Sequence, residues 1–356
     1  MKKKKHGLTT TVSKGWTGKN SKQKGMSMYK FVFQDPIPSG LLEDLKDQVK
    51  ILAPEKETSE EEFILAGRKA DAIFTLGRVI NEQMLDKMGA GKAGSPLKAV
   101  GTVSVGFDHL PLEYLSDHKI GLINTPQSVR YPTAELAVGI TLALIRQILV
   151  QDRKIREKGT FIFSAFEGCG SDLLGKTVGI LGMGSIGSKV AEVFHVLGAN
   201  IIYHQRRPAS EEVILKTGAQ YVSMDQLFSQ ADLISLHVPF IPEFYHLIDE
   251  KRIGQMKDGV ILVNCARGKL IDEKALVSGL KSGKIGGAAL DVFEEEPLIT
   301  PDLLTMDNVV LTPHMGASPR EAVDRMLREA VEGVLAFLQG EGPKNLVNQK
   351  VFVKKR

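Results

Sequence analysis

One glycine spacing constrains this chain more than any other feature. The apolar run Thr177–Leu181 leads directly into Gly182-Met183-Gly184-Ser185-Ile186-Gly187, and helical periodicity follows over Ser188–Leu197. Glycine at 182 permits the tight turn, at 184 it lets a pyrophosphate approach the backbone, and at 187 it lets helix and strand pack closely. The anion would sit at the helix N-terminus, where free N–H groups and the helix dipole favour negative charge. Set between strand and helix, this spacing predicts a parallel sheet with helices on both faces and a bound dinucleotide.

The series carrying that loop supplies six parallel strands: Thr177–Leu181, Asn200–His204, Leu233–His237, Val260–Asn264, Gly286–Leu290 and Asn308–Leu311. Six is the count of a doubly wound, Rossmann-type domain. An earlier series contains Tyr29–Phe33, Ala72–Leu76, Lys98–Val103 and Gly121–Asn124, with a helix capped by Ser39 that carries Leu41, Leu42 and Leu45. Between the two series, Thr133 is read as the cap of a helix with Glu135 in its first turn. From Leu136 to Leu149 it is apolar almost all round, which predicts burial between domains or in a homodimer interface. The last helix, Pro319–Leu338, has no strand after it and is free to return to the first series.

At 356 residues there is room for two domains, each with a core of its own. The formal net charge of +4 misleads, because residues 1–27 hold eight lysines and no acid, leaving the rest net acidic. The body therefore gives no electrostatic reason to bind nucleic acid. The tail lacks the apolar residues needed to offset the entropy of ordering and is read as a solvated, disordered extension; Lys2 to Lys5 could also be a weak nuclear signal or a polyanion-binding arm. It has no secretory h-region. No apolar run suggests a membrane span, and two cysteines, Cys169 and Cys265, form no disulfide framework. A cytoplasmic protein is expected, with no metal.

The end of the second strand of the series decides which dinucleotide is favoured. There an acid would bind the ribose 2′-hydroxyl of NAD. The strand instead ends in Gln205-Arg206-Arg207-Pro208. Two guanidiniums suit a 2′-phosphate, so NADP(H) is expected over NAD(H), which stays possible; solvated surface arginines are the alternative.

Three further segments lie just past carboxyl ends of parallel strands, where ligands bind in such sheets. They are Cys265-Ala266-Arg267-Gly268, Asp291 to Pro297, and Thr312-Pro313-His314-Met315-Gly316-Ala317. With Ser104 to Asp108, Thr133 to Ala137, Ser235 to Pro239 and Gly182 to Gly187, they make the chain resemble the D-isomer-specific 2-hydroxyacid dehydrogenase family. The likeness runs from about Met28 to Gln349 and is nearest the glyoxylate/hydroxypyruvate reductase branch.

The resemblance implies a nucleotide domain over 127–317 and a flavodoxin-like substrate domain discontinuous in sequence, 28–126 with 318–356. It also implies a catalytic triad. Arg267 would bind the carboxylate and keto oxygen of a small 2-keto acid, His314 would be the acid/base, and Glu296 its partner, with Glu295 the alternative. The chemistry agrees: a planar guanidinium holds a carboxylate bidentately. A protonated imidazole can neutralise the charge that builds on the carbonyl oxygen as hydride arrives, and a carboxylate beside it keeps that proton in place. The other histidines, including His109, His118, His195 and His246, are read as ordinary. Val105 and Gly106 would meet the substrate through their N–H groups. Ser185, Ile186, Val238, Cys265, Asp291 and Gly316 would line the cofactor, Cys265 as a packing residue.

Relatives in the glyoxylate branch carry tryptophans near the segment Gly159–Phe166, where this chain has none. The acid thus stays open among glyoxylate, hydroxypyruvate and a longer keto acid such as 2-ketogluconate. A dinucleotide-sensing corepressor, a binding protein on the same fold, is the alternative from another class.

Overall fold

The alternation of apolar strands and helices resolves into two sheets in a computed structural model that describes residues 16–17, 28–161 and 168–352. The strands are β1 Trp16–Thr17, β2 Tyr29–Phe33, β3 Val49–Pro54, β4 Ala72–Thr75, β5 Ala99–Thr102, β6 Gly121–Ile123, β7 Thr177–Leu181, β8 Asn200–His204, β9 Gln220–Tyr221, β10 Leu233–Leu236, β11 Val260–Asn264, β12 Ile285–Leu290 and β13 Val309–Leu311. The chain divides into two units, one of residues up to Ser128 with Val323 onward, the other Val129–Ala322. The first unit is discontinuous in sequence and meets the second at 128/129 and 322/323. Lys2 to Lys5, most of the tail, and Ile162 to Phe166 lie outside the described residues.

In the first unit the order is β1-β3-β2-β4-β5-β6. Strands β2 to β6 are all parallel and follow the flavodoxin-like order. Strand β3 was not among the expected strands: Lys50 interrupts its apolar run, and it lies towards the sheet's edge, half-buried over most of its length. Beyond it, Trp16–Thr17 pairs antiparallel with Ala53 and Pro54, so the reading of the whole tail as disordered is corrected at these two residues. The helix expected after Ser39 shrinks to a short 3-10 turn, Glu43–Leu45, without a side-chain cap; Gly40 at φ 82 turns the chain before it. Val32, Phe63, Ile73, Leu85 and Leu115 fill one side of this sheet.

In the second unit the order is β13-β12-β11-β10-β7-β8-β9, and every pairing is parallel. The six expected strands are present, and a two-residue edge strand, β9, makes a seventh. The order reverses between β10 and β7, the place where a doubly wound sheet opens a crevice beyond its carboxyl ends. Leu227, Phe228, Leu262 and Leu276 pack on one face; Ile140, Val178, Val190, Phe194 and Val263 pack on the other.

The long apolar helix runs Arg130–Ile145, so Thr133 sits inside it rather than capping it, and Glu135 is beyond the first turn. Pro132 marks the true start, because proline is tolerated where a first-turn N–H has no partner. The helix lies against this unit's own sheet: Gly287 of β12 leaves room for Leu144, whose methyls lie 3.2 and 3.3 Å from where a Cβ would stand. It stops before the expected Leu149, because Gln147 turns left-handed at φ 53. A second helix, Ile148–Lys158, follows with no buried residue, and Ile148 and Leu149 are half-exposed. Among the described residues no single helix is long and apolar enough to cross a membrane.

Phe194, on the helix Gly187–Val196, is fully buried. Phe194→Ala should cost about 3–5 kcal/mol through lost burial and a cavity. Urea unfolding reads this directly; a loss below about 1 kcal/mol would mean the helix is not packed as described.

Candidate active site

Because the second sheet is parallel, the segments beyond β7, β8, β10, β11, β12 and β13 emerge on one edge. Gly182 turns at φ 98, and a Cβ there would stand 2.6 Å from the His237 carbonyl oxygen. A Cβ at Gly187 would overlap the Gly182 carbonyl. At Gly184, by contrast, a Cβ would meet nothing within 4 Å. The first and third glycines are thus required by the protein's own packing, whereas the second borders open space. Ser185 is exposed beside it, Ile186 precedes the helix Gly187–Val196, and no side chain caps that helix start. These are the features a pyrophosphate needs.

After β8 the loop is anchored by Tyr221, whose hydroxyl donates to the Gln205 carbonyl at 3.1 Å. Arg206 and Arg207 project exposed from it, and neither pairs with a carboxylate among the described residues. Val238 lies half-buried after β10 beside His237. Burial pushes the His237 imidazole down to about 4, so it is neutral. Burial, then the charge of Asp291, raises the Cys265 thiol well above its ordinary range. Cys265 is therefore an unreactive wall residue.

Three adjacent strands lead to the three residues expected as a triad. Arg267 follows β11; the Asn264 side chain donates to the Arg267 carbonyl at 2.9 Å and accepts from the Ala266 N–H at 3.0 Å. Glu296 follows β12: its Oε1 accepts from the Phe293 N–H at 3.0 Å and its Oε2 lies 2.9 Å from His314 Nδ1. The pairing selects Glu296 over the exposed Glu295. His314, after β13, is left-handed at φ 51, and strained backbone of this kind collects at functional sites. With Nδ1 engaged by Glu296, Nε2 is the nitrogen left to face a substrate.

The charges set the proton. Burial opposes ionisation of Glu296, but hydrogen bonds from His314 and the Phe293 N–H, with the His314 and Arg267 charges, outweigh it and hold the carboxyl below its usual range. The Glu296 hydrogen bond raises His314, and its charge and that of Asp291 add to this; burial and the Arg267 charge work the other way, and the net is upward.

Asp291, expected beside the cofactor, holds the turn that carries His314. Its buried carboxylate accepts from Thr312 Oγ1 at 2.6 Å and from the N–H groups of Met315 and Gly316 at 2.8 and 2.9 Å, which brackets His314. Gly316 is buried, and a Cβ on it would stand 3.2 Å from that carboxylate. Val105 and Gly106 belong to the first unit, in the loop after β5. There Ser104 Oγ donates to the Gly106 carbonyl at 2.6 Å and Asn124 to the Val105 carbonyl at 2.8 Å.

Known proteins are similar to this chain in sequence and fold. The family model for the D-isomer specific 2-hydroxyacid dehydrogenase NAD binding domain matches residues 138–316. A glyoxylate reductase of Thermococcus litoralis is 38% identical over 292 residues, covering 80% of this chain and 86% of that protein. The crystal structure of a glyoxylate reductase from Paecilomyes thermophila superposes with a TM-score of 0.77 at 31% identity, covering 88% of this chain and 95% of the other. An acyclic imino acid reductase solved with NADPH and D-Arg gives 0.79 at 28% identity, covering 89% and 99%. The chain therefore belongs to the D-isomer-specific 2-hydroxyacid dehydrogenase family, as an oxidoreductase whose dinucleotide-binding domain is its second unit.

Proposed function

We propose that the protein reduces a small 2-keto acid, glyoxylate or hydroxypyruvate, to the D-2-hydroxy acid with NADPH. The observation that carries the reading is the Glu296–His314 pair at 2.9 Å, on strand ends next to Arg267 and on the same edge as the glycine loop. The bound dinucleotide supplies the hydride. Arg267 receives the substrate carboxylate and polarises the keto oxygen. His314 Nε2 gives its proton to that oxygen as negative charge gathers there. Glu296 keeps the imidazole charged beforehand and, by holding Nδ1, orients the ring so that Nε2 is the nitrogen that gives up its proton.

NADPH over NADH is supported by Arg206 and Arg207 at the end of β8, where no acid is available for a 2′-hydroxyl. A second copy of the chain is the partner we propose for the half-exposed Ile148, Leu149 and Ile155 of the helix Ile148–Lys158.

Assaying glyoxylate and hydroxypyruvate with both cofactors tests the reading. kcat/KM should favour NADPH, and replacing Arg206 and Arg207 together by Ala should raise KM for NADPH roughly 10–100-fold while barely moving that for NADH. Equal or better use of NADH by the wild type would reject the preference. His314→Gln should lower kcat about 10²–10⁴-fold with NADPH affinity kept; an unchanged kcat would exclude it as the acid.

The pH dependence has a definite sign. Reduction needs His314 protonated, so kcat/KM should be full at low pH and fall as pH rises through the elevated His314 value. Glu296→Gln removes the largest upward influence, so the falling limb should move to lower pH. A limb that stays in place would assign the ionisation to another group.

A further inference from the structure

A second histidine is also held by carboxylates. His246 Nε2 lies 2.5 Å from Glu294 Oε1, and its Nδ1 is 3.7 Å from Asp272 Oδ2. Its backbone is left-handed at φ 51, and the Tyr245 ring stacks on the imidazole with centroids 3.9 Å apart. Backbone bonds fix this conformation against the segment after Arg267: the His246 N–H donates to the Lys269 carbonyl at 3.0 Å, and the Ile248 N–H to Leu270 at 2.9 Å.

Glu294 and Glu273 hold each other reciprocally. Glu294 Oε2 accepts from the Glu273 N–H at 3.2 Å, and Glu273 Oε1 accepts from the Glu294 N–H at 2.9 Å. The Thr300 hydroxyl bonds to the other oxygen of the buried Glu273. The peptide bond being clamped joins Glu294 to Phe293, and the Phe293 N–H is what holds Glu296 Oε1. Gly268, next to Arg267, passes so close to the Phe293 carbonyl that a Cβ would overlap it. One clamp thus bears on the backbone behind both Glu296 and Arg267.

We propose that His246, acting through Glu294, is a positioning residue that locks the 293–296 turn against the Arg267 loop and so sets how firmly Glu296 holds His314. The proposal rests on the reading of His314 as the acid. An imidazole suits the place because its two ring nitrogens reach Glu294 and Asp272, on different segments. The charged groups acting on His314 itself are Glu296, Arg267 and Asp291. The route from His246 to that group runs through Glu294 and the backbone of the 293–296 turn.

The test uses His246→Asn and Glu294→Ala in the full chain. Asparagine tolerates left-handed backbone but is too short to reach Glu294 as histidine does. The titration of His314 is followed by NMR on isotope-labelled histidine, its resonance identified by its loss in His314→Gln. Both variants should move that titration down by about half a pH unit or more. kcat should fall roughly tenfold, with KM for NADPH little changed. Should either variant lose its fold, Glu294→Gln, of equal size, is read instead and should shift His314 the same way. An unmoved His314 titration in the folded variants overturns the proposal, even if kcat falls, because that pattern belongs to a merely structural residue. A wild-type enzyme that turns over no 2-keto acid would reject the catalytic reading of His314, while the titration still decides whether the clamp exists.

Discussion

The hydrogen bond between Glu296 Oε2 and His314 Nδ1, 2.9 Å long, joins the loops that follow two consecutive strands, β12 and β13, where they leave the same edge of the sheet. Its geometry follows from β12 and β13 being neighbours in register, so that Leu290 pairs with Leu311 and both chains leave the sheet together. The segment after β12 then serves His314 twice. Asp291, at its start, brackets the turn that carries the imidazole; Glu296, near its end, holds the ring nitrogen. Arg267 comes from β11, the next strand inwards. Cation, carboxylate and imidazole thus follow strand order, a consequence of parallel strands that all end on one edge.

Charge is concentrated in that group rather than spread through the crevice. His237 is neutral and Cys265 is a thiol, both because burial penalises their ionised forms. The walls beside the glycine loop therefore do not titrate near neutrality, while Glu296 and His314 each stabilise the other's charged form. On the proposed reading, such a site offers one movable proton to the substrate's carbonyl oxygen.

What the sequence revealed divides along physical lines. The glycine loop was legible because Gly182 and Gly187 have no room for any side chain, so spacing alone encodes the turn. That Arg267, Glu296 and His314 lie just past strand ends was legible from the apolar strands before them. Strands at or next to the sheet edges were not: β3 is interrupted by Lys50 and β9 is two residues long, and pairing by neighbours rather than periodicity makes them strands. The start of the helix Arg130–Ile145 was misplaced because Thr133 looks like a cap, although Pro132 already pointed upstream. His246 was passed over as ordinary because its carboxylate partners stand 26 and 48 residues away and its left-handed backbone leaves no trace in composition. Asp291 was expected only beside the cofactor; its grip on three groups of the His314 turn depends on the β12–β13 register and was not legible.

The central claim is that His314 delivers a proton in the same event in which hydride reaches the substrate carbon. A single-turnover experiment tests this most directly, mixing the NADPH-loaded enzyme with glyoxylate in weak buffer and following nicotinamide absorbance and a pH indicator together. The account predicts hydride transfer and loss of the enzyme-bound proton in one kinetic phase, slowed by deuterated NADPH, with proton uptake from solvent afterwards as His314 is recharged. Proton uptake from solvent that precedes or exactly tracks hydride transfer in His314→Gln at the wild-type rate would contradict it.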